Sequence, residues 1–206
     1  MSHSPIVFAS SNAGKIRELN ELLAPLSLSV AAQESLGVID VPETGLTFIE
    51  NALIKARNAS QHTKLPALAD DSGIEVDALQ GEPGLYSARY ASINNAGSGD
   101  IANYKLLLDK LKDVPDAERT ARFRCVMVYL RHANDPAPLI AQGTWEGVVL
   151  RQAIGENGFG YDPVFGYDGM NGPSSAQLDK KTKNNFSHRS KAVKLMLGML
   201  STASRQ

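Results

Sequence analysis

Four short segments carry residue types that could do chemistry. Ser10-Ser11-Asn12-Ala13-Gly14-Lys15 follows an apolar run and precedes helical spacing. A turn that opens a helix presents free backbone N–H groups at the positive end of the helix dipole. Lys15 falls in that first turn, where a cation is disfavoured by about 0.3–1 kcal/mol. A bound anion reverses the sign of that cost. The first glycine and the spacing of a P-loop are missing, and a Ser/Asn cap followed by a solvated lysine uses the same residues. Ser187-His188-Arg189-Ser190-Lys191 repeats the inversion at a second helix start, with Lys180, Lys181 and Lys183 just before it. This is an anion trap or a solvated basic face. The solvated face is the ordinary reading of a charge run, and two such starts in a nearly neutral chain weaken it.

Two further segments are acidic and aromatic. Leu68-Ala69-Asp70-Asp71-Ser72-Gly73 puts two carboxylates at the end of an apolar strand, and Glu43 lies in a loop, Val41-Pro42-Glu43-Thr44-Gly45. Neighbouring strand residues point to opposite faces, so one of the two aspartates faces a given site. Such oxygen ligands suit Mg²⁺, which takes one or two carboxylates plus substrate phosphates; Asp-Ser-Gly is also ordinary turn chemistry. In Gly158-Phe159-Gly160-Tyr161-Asp162-Pro163 the flanking glycines would let a flat ligand approach the ring. Stacking of a base on an aromatic side chain is worth about 1–3 kcal/mol. A loop that closes over the core reads equally well there. His62, His132, Trp145 and Cys125 fit packing or helix-end positions.

The elements that must position these segments alternate between strand and helix. Pro5–Ser10 reads as a buried strand and Leu28–Ala32 as a second. Ile16, Leu19, Leu22 and Leu23 follow helical spacing. Thr47-Phe48-Ile49-Glu50 fits a capping box for a helix reaching about His62. Leu68–Asp70 and Ile74–Ala78 read as short strands around an Asp71-Ser72-Gly73 turn, and Gly81–Ala91 as a loop. Asp100 reads as the cap of a helix through Leu111. Ala121–Arg131 and Leu139–Leu150 read as a strand pair, Gly155–Gly172 as a loop, and a last helix starts near Ser187. The fold class is α/β.

Composition narrows the function. The chain has 206 residues, 43% hydrophobic and 21% charged, with a net charge of −1. That is globular and neutral, so disorder and a basic nucleic-acid surface are not expected. The apolar runs fall far short of the roughly 20 residues of a membrane span. The opening residues lack a secretory signal. The single Cys125 excludes an internal disulfide and a cysteine-rich zinc site. A cytoplasmic location is expected.

With these motifs in order, the chain resembles the inosine/xanthosine triphosphate pyrophosphatase family. The segments are SSNAGK at 10–15, PETGLTFIENALIKA at 42–56, LADDSGIEVDAL at 68–79, GEPGLYSARY at 81–90, GFGYDP at 158–163 and SHR at 187–189. Ser11 departs from the glycine frequent in the family. The run Asp179–Phe186 is more basic than usual.

The resemblance implies an elongated two-lobed α/β fold, with a long mixed central sheet flanked by helices. Residues 1–206 would form one domain and, in a pair of chains, a homodimer. It implies hydrolysis of ITP, dITP and XTP to the monophosphate and pyrophosphate, with Mg²⁺ as cofactor and a metal-bound water attacking the α-phosphate. Carried over, Ser10, Ser11, Asn12, Ala13, Gly14 and Lys15 would cradle the triphosphate. Glu43 and Asp71 would hold the metal, with Asp71 also the base, and Ser72 would touch substrate. Phe159, Gly160, Tyr161 and Asp162 would wall the base pocket, and Lys183, His188 and Arg189 would close it. A pyrophosphatase for modified pyrimidine nucleotides fits the Lys183/His188/Arg189 set less well. A non-catalytic nucleotide sensor would have no need of Glu43 and Asp71.

Overall fold

The computed structural model describes residues 5–23 and 30–203. The run after Pro5 forms β1 (Ile6–Phe8), and Asn12 caps α1 (Ala13–Leu23), its Oδ1 accepting the Lys15 N–H at 3.0 Å. β2 (Val30–Ala32) lies within the strand expected at Leu28–Ala32, whose first two residues fall outside the described ones. α2 (Phe48–Thr63) starts at the Thr47 cap, whose hydroxyl accepts from the Glu50 N–H. β3 (Ala67–Val76), α3 (Tyr90–Ile93) and α4 (Asp100–Lys110) follow, then β4 (Thr120–Leu130), β5 (Leu139–Val149) and β6 (Phe165–Gly166). α5 (Lys180–Phe186) and α6 (His188–Ala203) close the chain. The strands form one six-stranded mixed sheet in the order β2-β1-β3-β4-β5-β6. β1 is parallel to β2 and β3, and β5 is antiparallel to β6.

Four local readings are corrected. No turn interrupts Asp71-Ser72-Gly73, since β3 runs straight through it. Asp70 and Asp71 are buried beside cations rather than solvated, and Ser87 Oγ accepts the Ile74 N–H at 2.9 Å. Gly81–Ala91 is not irregular: Gly84–Arg89 winds into a 3-10 helix that leads into α3. The Asn103 side chain ties this segment down through Ala91 N and Ala88 O. Asp100 does not cap α4, because the cap is Gly99 and Asp100 is the first helical residue. Finally, α5 precedes α6, capped by the Asp179 side chain on Thr182 N. Its six basic and polar residues and single Phe186 show no apolar period that could announce it.

The chain divides into two compact units, one of residues up to Asp71 with Cys125–Gly143 and the chain from Arg189 on, the other of Ser72–Arg124 and Thr144–His188. In the first, strand alternation sorts the side chains into two cores. Val7, Ala67, Ala69, Val126 and Val128 pack with Ala52, Ala56 and Ala59 of α2. Phe8, Leu68, Cys125 and Met127 pack with Leu19 and Leu23 of α1 and Val193 and Met196 of α6. The small alanine face of α2 allows a close approach to the sheet. The second unit has its own core, which includes Ile74, Leu107, Phe123, Trp145, Tyr161 and Phe165. The Phe123 and Phe165 rings are 4.5 Å apart between centroids. Among the described residues no helix is long and apolar enough to cross a membrane.

Gly73 marks a close approach within the second unit. A Cβ there would meet Gly84 O at 2.2 Å and Ser87 Oγ at 2.6 Å. Gly73→Ala is therefore expected to destabilise the protein by about 1–3 kcal/mol. Urea denaturation measures it, and a wild-type midpoint would show that the Gly84 segment yields without cost.

Candidate active site

The pleat of β3 sends its two aspartates to different partners. Asp70 shares the parity of Leu68 and lies on the face packed by α1 and α6. Its side chain is fully buried; Lys15 Nζ of α1 is 3.3 Å from its Oδ2 and Arg189 Nη2 of α6 is 3.2 Å from the same oxygen. Glu18, one turn along α1 from Lys15, pairs with Arg189 from the other side. Burial opposes a charged Asp70, but Lys15, Arg189 and Lys55 overcome it and hold the carboxyl well below the usual range. Oδ1 of Asp70 has no hydrogen-bond partner among the described residues. The Cys125 thiol lies 3.9 Å from Oδ2, and burial, with Asp70 beside it, pushes the thiol up to about 12.

Asp71 shares the parity of Ala67 and Ala69 and meets α2 instead. Lys55 Nζ of α2 bridges Glu43 Oε1 at 2.7 Å and Asp71 Oδ1 at 3.0 Å. Burial raises the Asp71 carboxyl, Lys55 and Lys15 draw it down only in part, and Glu43 adds to the rise. Lys55 is raised as well: burial opposes its charge, but Asp71, Asp70 and Glu43 outweigh that. Oδ2 of Asp71 is buried and unpartnered among the described residues. Two carboxylates gathered on one cation, one with an orphaned oxygen, fit the demands of a hard divalent ion. Among the described residues no group of three or more His, Cys, Asp and Glu side chains forms a metal cluster. An ion that shares substrate phosphates needs only one or two protein carboxylates.

The Ser10–Lys15 turn has the expected local form. Ser10 Oγ accepts the Asn12 N–H at 3.2 Å, and Asn12 in turn accepts from Lys15 N. Ser11 Oγ donates to Asp40. Lys15 therefore sits at the positive pole of α1 with a buried carboxylate as its partner. Glu43, Lys15 and Asp71 all belong to this first unit, and so does Arg189.

The second unit holds Ser72, Phe159–Asp162, Lys183 and His188. Ser72 and Phe159 are half-buried. Asp162 is buried and spends both oxygens inside the protein: Oδ2 accepts from Phe159 N at 2.9 Å and from Lys183 Nζ at 2.7 Å, Oδ1 from Ser175 Oγ at 2.7 Å. The Lys183 ammonium stands 5.4 Å from the Phe159 ring centroid. The Tyr161 hydroxyl is also turned inward, donating to Ser87 O at 2.8 Å, and burial raises its pKa. His188 stacks on Phe123 with centroids 4.7 Å apart. Phe159 and Gly160 are thus the more accessible members of this wall.

The Ham1 family model matches residues 6–199 of this sequence. The chain belongs to the Ham1 family. A relative in Salmonella typhimurium named dITP/XTP pyrophosphatase is 53% identical over 195 residues, covering 95% of this chain and 97% of the relative. One of the same name in Xanthomonas axonopodis pv. citri is 59% identical over 189 residues, covering 91% and 92%. The solved structure of a HAM1 protein from Coxiella burnetii superposes with a TM-score of 0.85 at 43% identity, covering 96% of this chain and 98% of that one.

Three residues of this Ham1 chain escape the sequence reading: Glu18, Lys55 and Asp100. Neither Glu18 nor Lys55 is singled out by residue type or spacing. The signal for Lys55 is positional, since it borders the buried Ala52 and Ala56 of α2. Asp100 reads as a cap, yet its Oδ2 accepts the Gly160 N–H at 2.7 Å. Asp70, left without a role by sequence, carries the most heavily paired carboxylate here.

Asp70→Asn removes the buried carboxylate shared by Lys15 and Arg189, leaving Arg189 with Glu18, and is expected to cost about 3–5 kcal/mol at pH 7. Asp70 has a depressed folded pKa, so its stabilisation is full above the unfolded value of about 3.9 and is lost as pH falls toward the folded value. Urea midpoints of wild type and variant should therefore differ at pH 7 and converge below about pH 4. A constant gap across that range would contradict the assignment.

Proposed function

We propose that this chain hydrolyses deaminated purine nucleoside triphosphates, ITP, dITP and XTP, to the nucleoside monophosphate and pyrophosphate, clearing them from the nucleotide pool. The observation that carries this is Asp71: a buried carboxylate with a raised pKa and one oxygen unpartnered among the described residues, set beside Glu43, Lys55 and Lys15. The activity named for the relatives supports the same reading.

Each part follows from charge and geometry. The Ser10–Gly14 turn at the start of α1 and the Lys15 ammonium receive the triphosphate. Lys15 trades its hold on Asp70 for the incoming phosphate, and Asp70 keeps Arg189 as its counter-ion. Glu43 and Asp71 would hold Mg²⁺, which when bound supplies charge neutralisation and acidifies water. Asp71 accepts the proton of the water that attacks the α-phosphorus, and pyrophosphate departs. Ser72, next in the chain to Asp71, contacts the substrate.

Phe159 and Gly160 face the purine, with Tyr161 and Asp162 holding them from behind. The Lys183 ammonium lies beside this wall, and His188 and Arg189 would serve base recognition on this reading. Donors at this edge accept a C6 keto oxygen and confront the amino group of adenine. A site built to bond a polar group can reject the wrong partner by about 10⁴–10⁵. The chain works as a homodimer in the cytoplasm on this reading.

Wild-type protein with ITP and Mg²⁺ is expected to release pyrophosphate and not orthophosphate; no pyrophosphate from ITP, dITP or XTP removes the reading. Asp71→Asn should lower kcat by about 10²–10⁴ while ITP binding persists by calorimetry. Because the carboxyl is raised and acts unprotonated, wild-type kcat should fall as pH drops through a value above the ordinary aspartate pKa of about 3.9. Full activity of Asp71→Asn would move the base elsewhere.

A further inference from the structure

The segment Phe159–Asp162 is held at every residue. Phe159 N donates to Asp162 Oδ2 at 2.9 Å, the Tyr161 hydroxyl to Ser87 O at 2.8 Å, and Asp162 is gripped by Ser175 and Lys183. Those groups are buried or take part in the core of the unit. The Gly160 N–H reaches Asp100 Oδ2 at 2.7 Å. Asp100 is exposed and comes from a distant stretch of chain, the first residue of α4.

Gly158 and Gly160 both have left-handed φ, +81° and +62°, a region open to glycine without steric cost. At Gly158 a side chain is barred, since its Cβ would lie 2.0 Å from Asp162 Oδ2. The peptide between Phe159 and Gly160 carries the N–H that Asp100 holds and leads directly into the left-handed Gly160. Its orientation sets where the Phe159 ring points, with the Lys183 ammonium 5.4 Å from that ring. α4 gains no cap from Asp100, because Gly99 holds that position without a side-chain bond. The carboxylate is spent on the loop.

We infer that Asp100 is a positioning residue for purine recognition: by holding the Gly160 amide it fixes the Phe159 ring against the base. This rests on the proposed role of Phe159 as a wall of the purine site. Asp100 touches neither the phosphates nor the reacting atoms, so its loss falls on binding and selectivity.

The test compares Asp100→Ala with Asp100→Asn, which keeps an acceptor oxygen. Asp100→Ala is expected to raise KM for ITP about tenfold, the loss of one charge-assisted hydrogen bond, with kcat changed much less. The ratio of kcat/KM for ITP over ATP should fall with it. Asp100→Asn should recover most of both, and in ¹H–¹⁵N spectra the Gly160 amide should move upfield in the alanine variant and return toward wild type in the asparagine one. If Asp100→Ala does not fold, Asp100→Ser, which suits a helix start but is too short for the contact, must show the same KM rise. Wild-type KM and selectivity in a folded Ala or Ser variant overturn the inference, and so does a loss confined to kcat. Absence of pyrophosphate release by wild type strikes the proposed function instead. The Gly160 amide shift still reports then on whether the clip exists.

Discussion

The pleat of one strand governs this protein. Successive β residues face opposite sides, so the Asp70-Asp71 pair is divided between two helix layers. Asp70 is committed to cations on α1 and α6, and Asp71 to a cation on α2. Two adjacent carboxylates sharing one environment would repel, and one would take up a proton. Separation lets them differ: the first is held ionised by its neighbours, while burial raises the second toward the range where it can exchange protons. One dipeptide thus yields two carboxylates of opposite character, one held low and one raised.

The same division explains the inverted helix starts. Lys15 lies at the positive pole of α1, yet a buried carboxylate faces it. Arg189, in the first turn of α6, faces that carboxylate too, and Glu18 balances it. Four charges are thereby neutralised in pairs inside the protein. This arrangement leaves Arg189 integral to the packing and Lys15 the more exposed of the two cations.

Much of this is legible in sequence because it rests on local pattern. The Asn12 cap, the Thr47-Glu50 box and the alternation along β4 announce their elements. Asp71 and Glu43 stand out as paired oxygen donors. What sequence withholds is long-range pairing. Asp71-Ser72-Gly73 has turn composition, and only the buried ammonium of Lys55 and the backing of Gly84 make it a strand. α5 has no apolar period, and its start depends on one Asp179 cap. Tyr161 and Asp162 look like ligands from their types, but their polar atoms turn inward to Ser87, Ser175 and Lys183. Lys55 and Glu18 are commonplace helix residues until the sheet fixes which face they occupy.

Cys125 adds a quieter consequence. The thiolate is the form that oxidants and alkylating agents attack. With its pKa near 12 and its sulfur enclosed beside Asp70, this residue stays protonated throughout the physiological range. A sulfur only one contact from the ion network is in this way a poor target for oxidants and alkylating agents.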